Sequence, residues 1–219
     1  MQHHQSKAKL LAATIKVVRT KGYNATRVED VCAEAGVTKG SFFHHFKSKD
    51  DLALAALDHW KASTTDLFAN APYHGPSDPL DRVLAYIDFR KALLAGELRD
   101  FTCFPGTVVQ EMYATSPPIR AACESSICGH AKTLEADIDA AIAEYGVAED
   151  ITASSLALHM QCVLQGAFIL VKATGSATVA VDSIEHLRRY ILLLFRASKD
   201  RRVVRARRKP DADASAGRA

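Results

Sequence analysis

Glycine and proline are scarce in this chain, 11 and 7 of 219 residues, and most fall between apolar runs rather than inside them. Few breakers, with no convincing period-two alternation of apolar residues, argue against a sheet-rich fold and point to an all-α protein. Cysteine offers no scaffold. Five residues, an odd number, stand at irregular spacing (Cys32, Cys103, Cys123, Cys128, Cys162) with no Cys-x-x-Cys pair, which argues against a disulfide framework and makes reduced thiols the expectation. Catalytic signatures are missing too. His130, His159 and His186 lack metal-ligand spacing, no Glu-x-x-His tetrapeptide occurs, and neither a Gly-rich phosphate loop nor a nucleophile elbow is present. No catalytic residue, metal or cofactor is expected. The N-terminal stretch lacks the apolar core of a signal peptide. The longest apolar region, Leu156 to Val171, is interrupted by His159, Gln161 and Gln165 and is short for a membrane span. The expectation is a cytoplasmic protein with no membrane partner.

What is present is apolar bulk and an uneven charge. At 48% hydrophobic residues the chain can bury a core. Its net charge of +3 divides into +3 over residues 1–60, −6 over 61–195 and +6 over 196–219. A basic head on an acidic body suits an anionic partner at the head. The sequence predicts three domains or segments: a head over 1–57, a helical body over 58–198, and a basic, disordered tail over 199–219. The Pro-rich stretch Asn70 to Pro79 is the candidate seam between head and body, with the fourth helix expected to cross to the body side before it.

Helical spacing predicts a first helix over 7–21, closed by Gly22. A second helix opens at Thr26 with a Thr26-x-x-Glu29 capping box and ends at Gly36. A third begins at once with Thr38 as its cap. Ser48 caps a fourth, and Asp78 or Ser77 with Pro79 starts a fifth. Further helices are expected over 105–113, 119–145, 152–173 and 181–198.

Two short helices around "AGV" fit a helix-turn-helix, whose second helix enters the major groove. At about 100° per residue, Phe42 and Phe46 fall on one side of the third helix. Gly40 and His44 lie opposite, flanked by Ser41 and Phe43. The phenyl rings should anchor the helix, leaving a small, polar, partly cationic face for DNA. Thr38 and Ser41 hydroxyls suit phosphates or base edges. Gly40 would let the backbone approach the groove, and His44 would donate to a phosphate or base. Lys39 and Lys49 would supply charge, and Thr26 and Arg27 would place the second helix's amides on phosphate.

The stretch "ATRVEDVCAEAGVTKGSFFHHFKSKDDL", extended back through "KLLAATIKVVRTKGYNAT", resembles the DNA-binding head of the TetR (tetracycline-repressor) family of bacterial regulators. The resemblance implies DNA contacts from Thr26, Arg27, Thr38, Lys39, Ser41, Phe43, His44 and Lys49. Phe43 departs from the family's usual Tyr and cannot donate a hydroxyl to phosphate, which leaves it sugar or a thymine methyl. The resemblance further implies a repressor that binds an inverted-repeat operator in double-stranded DNA as a homodimer and is released by a small-molecule effector. The candidate effector pocket comprises Cys103, Phe104, Met112, Tyr113, Cys123, Ile127 and His130, which the predicted helices bring into one region. Cys103, just ahead of a helix start, is a candidate sensor of electrophiles or oxidants. The two last helices carry more apolar surface than one partner covers, so Leu164, Phe168, Ile184, Leu187, Ile191, Leu194 and Phe195 are the candidate dimer interface. The alternatives are an architectural DNA-coating protein, supported by the basic tail, and a helical enzyme.

Overall fold

The computed structural model describes the backbone of residues 2–147 and 150–207, and the side chains of 5–147 and 150–196. Among the described residues there is no strand. Eleven α-helices follow one another: α1 Gln2–Lys21, α2 Val28–Ala35, α3 Lys39–His45, α4 Lys49–Ala69, α5 Pro79–Ala92, α6 Leu98–Phe101, α7 Phe104–Met112, α8 Pro117–Lys132, α9 Glu135–Tyr145, α10 Ala153–Thr174 and α11 Thr178–Arg207.

Local chemistry explains most boundaries. Gly22 (φ 87°) and Gly36 (φ 64°) take the left-handed conformation at the ends of α1 and α2, where a Cβ would be strained. Side-chain oxygens of Thr38, Ser48, Asp78 and Thr152 accept backbone N–H groups at the starts of α3, α4, α5 and α10, satisfying donors a helix leaves open.

Three expectations are corrected. Thr26 does not cap α2: its hydroxyl donates to the Gly22 carbonyl at 2.6 Å, and the cap falls on Arg27, whose N–H donates to Asp30 at 2.7 Å. The expected helix over 119–145 is two helices. The Thr133 and Leu134 N–H groups close back on His130 and Ala131, and the Thr133 hydroxyl bonds the His130 carbonyl at 2.7 Å, a local bond that competes with helix continuation. The tail is helical further than expected. α11 continues to Arg207, through a stretch rich in Arg and Ala, both good helix formers; residues 208–219 lie outside the described residues.

Two main cores divide the molecule. The head core joins α1–α3 and the first half of α4 to Phe104, Val108 and Met112 of α7 and Ile119 and Cys123 of α8. The body core contains Phe68 at the end of α4, together with α5, α9, α10 and α11. α4 therefore crosses from one core to the other, and the head is rooted on α7 and α8 rather than hanging from a linker. The Asn70–Pro79 stretch, with its 3-10 turn Pro72–His74, lies inside the body, where Tyr73 is buried. α10 is long and apolar enough to cross a membrane by length and composition, but one side of it is packed in the body core through Leu156, Met160 and Leu164.

Candidate functional site

The outward face of α3 is built from the inside. Phe42 is wholly buried and Phe46 nearly so, with ring centroids 5.9 Å apart. A seven-residue helix is too short to hold itself in water, so these rings hold α3 against α1 and α2. Thr38, Lys39, Gly40, Phe43 and His44 are exposed and Ser41 is half-buried. Phe43 is 56% exposed, its ring standing edge-on to Phe42 at 5.0 Å. A phenyl group left in water beside a glycine and an imidazole makes a surface with room for a groove wall. Lys39 pairs with Glu29 of α2 at 2.6 Å, a fully exposed pair that is easily exchanged for a phosphate. Arg27 is exposed at the start of α2.

Two expected contact residues have side-chain partners within the protein. Thr26 is buried, its hydroxyl turned to Gly22, so only its backbone can face DNA. Lys49 donates to the Tyr23 and Thr26 carbonyls at 3.1 and 3.2 Å and lies 4.2 Å from the Tyr23 ring centroid. It braces the turn between α1 and α2. The Tyr23 hydroxyl in turn donates to Asp50.

A cavity of about 170 Å³ opens between head and body. Cys103, Ile127 and His130 line it, as expected from sequence. Four other candidates do not. Phe104, Met112 and Cys123 are buried in the head core, and Tyr113 is exposed to solvent. Sequence reasoning missed Arg19 of α1 and Trp60 of α4, which form the head side of the wall, and Arg90, Gln161 and Gln165 on the body side. The one available signal was the Gln161/Gln165 pair, two amides four residues apart in an otherwise apolar run, which puts both on one helix face.

The polar groups of this wall are linked. His130 Nε2 lies 2.9 Å from the Tyr86 hydroxyl, which also accepts from Gln161 at 3.3 Å. Burial, with the nearby Arg90 charge, pushes the imidazole down to about 4, so it is neutral at pH 7. The unfolded chain then binds this proton from pH 6.5 downward while the fold resists it. Stability is expected to fall by up to roughly 1 kcal/mol per pH unit between about 6.5 and 4, a component absent in His130→Gln; urea unfolding of both proteins across that range checks it.

Cys103 caps α7: its Sγ accepts the Gly106 N–H at 3.3 Å. A Cβ at Gly106 would stand 2.3 Å from Gln165 Oε1, so a larger residue there would turn the Gln165 amide out of its place in the cavity wall. On the other side of α7, Glu111 accepts the Tyr23 and Asn24 N–H groups at 2.9 and 2.7 Å. This carboxylate fastens the loop after α1 to the body.

The candidate dimer residues are mostly internal. Leu164, Phe168, Ile184, Leu187, Ile191 and Phe195 are buried within the chain itself, and Leu194 is half-buried. The exposed apolar residues of α10 and α11 are others: Leu158, Ile169, Leu170, Val181, Tyr190 and Leu193.

Known proteins share both halves of this arrangement. Residues 10–56 match bacterial regulatory proteins of the tetR family, and residues 79–187 match the tetracyclin repressor-like C-terminal domain. The transcriptional regulator AcuR of Cereibacter sphaeroides is 31% identical over 119 residues, 54% of this chain and 53% of that protein, so the chain spans about half the length of this relative. A TetR-family regulator from Agrobacterium tumefaciens has the same fold with a TM-score of 0.76 at 20% identity, covering 86% of this chain and 98% of that one. A TetR regulator from Chloroflexus aurantiacus gives 0.75 at 25% identity, covering 87% and 96%. With its head and body both matched and its recognition helix turned outward, the chain belongs to the TetR family of bacterial transcriptional regulators: it is a DNA-binding protein and not an enzyme.

Proposed function

We propose that this protein is a cytoplasmic repressor that binds an inverted-repeat operator as a homodimer and leaves it when a small organic effector enters the cavity between head and body. The observation that carries the reading is the position of that cavity. Arg19 and Trp60, on helices that build the head core, share its wall with Phe101, Gln161 and Phe168 of the body. A ligand touching both parts biases their relative placement, which is what an effector site needs in order to control a DNA-binding surface elsewhere. The α3 face supplies groove contacts from Gly40, Phe43 and His44, and Thr38, Lys39, Ser41 and Arg27 supply phosphate contacts.

The dimer is assigned to the outer faces of α10 and α11, where Leu158, Leu170, Tyr190 and Leu193 are exposed. A symmetric pairing of these faces forms a four-helix interface and sets the spacing of the two half-sites. Leu193→Asp is expected to convert the dimer to monomer at micromolar concentration without unfolding it, and to weaken operator binding by more than about tenfold through lost bivalency. Light scattering and operator titration check both.

Footprinting of the full chain tests the reading as a whole. One short protected palindrome, released by a compound that also stabilises the protein thermally, is the expected result. Broad, sequence-independent coating would instead make it an architectural protein.

A further inference from the structure

Resting on the assignment of the cavity as the effector site, we infer that its ligand is a small organic carboxylate, whose anionic end is held by Arg19 of the head while its apolar part lies against the body. Arg19 sits in the last turn of α1, with its guanidinium stacked on Trp60 at 5.1 Å from the ring centroid. Its Nε and Nη2 are buried, and neither has a hydrogen-bond partner. Buried polar groups are nearly always satisfied, and an orphaned one calls for an account; a buried charge left without a partner is costlier still. Asp100 also borders the cavity, but its carboxylate caps α6 by accepting the Glu97 N–H at 2.9 Å and makes no ion pair with Arg19 within 4.0 Å.

The other charged group in the wall is Arg90, 5.3 Å from the Phe68 ring centroid; His130 is neutral there. Two guanidinium groups against one carboxylate leave the cavity short of one negative charge. The rest of the lining fits a short hydrocarbon: Trp60, Leu93, Leu94, Phe101 and Phe168. A volume of about 170 Å³ lies below the roughly 300–1,000 Å³ of sites for drug-sized ligands, so the ligand is compact. Guanidinium is suited to a carboxylate because two N–H groups meet two oxygens in one plane.

This grip would act directly on the head. α1 packs on α2 and α3, and its residues Lys16 and Lys21 pair with Glu34 and Asp30 of α2. A carboxylate that draws Arg19 toward the body moves the helix on which the recognition unit rests.

The test uses the full chain, thermal shift and operator titration, with straight-chain acids from propanoate to octanoate and benzoate, each paired with its primary amide. At millimolar concentration at least one acid should stabilise the protein and release operator, while its amide binds at least about tenfold more weakly, the loss expected for a charge-assisted contact. Arg19→Met should lose the acid response, Arg19→Lys should keep part of it, and Leu94→Trp, which fills the cavity, should lose it entirely. Without ligand, Arg19→Met should melt no lower than the unaltered chain, since it removes an unpaired buried charge. The acid–amide comparison needs no variant, so a misfolded Arg19→Met leaves it decisive. Amides that match their acids, an unchanged response in Arg19→Met, or no binding by any acid would overturn the carboxylate assignment. An acid response that survives in Leu94→Trp would instead overturn the cavity as effector site.

Discussion

Replacing Gly40 by leucine is expected to abolish operator recognition while leaving the protein folded and no less stable. A Cβ at Gly40 would meet only the Thr38 hydroxyl, at 3.7 Å, an ordinary contact, so the fold does not need glycine there. An exposed helical glycine is the less stable choice by up to about 1 kcal/mol. The side chain would instead project from the exposed face between Thr38 and His44, where it would hold the α3 backbone away from a groove. Affinity for the operator should fall about 10³-fold or more, toward the level of unspecific binding, and the residual binding should keep its salt dependence because the phosphate contacts remain. Circular dichroism, light scattering and operator titration together read the three parts of this prediction.

Phe42→Ala is expected to lose operator binding for the opposite reason. The ring is fully buried in a core shared by α1, α4 and α7, and its removal costs about 3–5 kcal/mol, a large part of the stability of an ordinary domain. α3 has too few residues to persist without that support. The head should open at lower urea than the body, giving a second unfolding transition or faster amide exchange over residues 39–45. The two variants share a phenotype on DNA and differ in every measure of stability. That contrast separates a contact residue from a supporting one.

The same pair of residues marks how far the chain could be read directly. The side of α3 that Phe42 occupies follows from helical period alone, and so does the exposure of Gly40 and His44; Phe46 is buried too, but as the extended residue that ends the helix. The caps at Thr38, Ser48 and Asp78 were legible because a hydroxyl or carboxylate before an apolar run has little else to do. Thr26 misled for a physical reason: its hydroxyl has a competing acceptor in Gly22, made available by the left-handed turn before it. The break at Thr133 carries no glycine or proline to announce it. Cavity and dimer surfaces were read least well. A helix that is apolar nearly all round, like α10, does not distinguish its own core from a partner's, so Leu164 and Phe168 proved internal while Leu158 and Leu170 face outward. Arg19 and Trp60 reach the cavity from helices far away in sequence, and local pattern says nothing about such contacts. The bonds of Lys49 to the carbonyls of Tyr23 and Thr26 were likewise not legible, since they join residues 26 and 23 apart in sequence.

The most direct test of the outward-facing recognition helix is a crystal structure of the protein bound to the operator that footprinting defines. The account predicts α3 in the major groove, Gly40, Phe43 and His44 in van der Waals or hydrogen-bond contact with base edges, and the Thr26 hydroxyl still bonded to Gly22. A duplex seated on another surface, or base contacts made without Gly40 and His44, would contradict it.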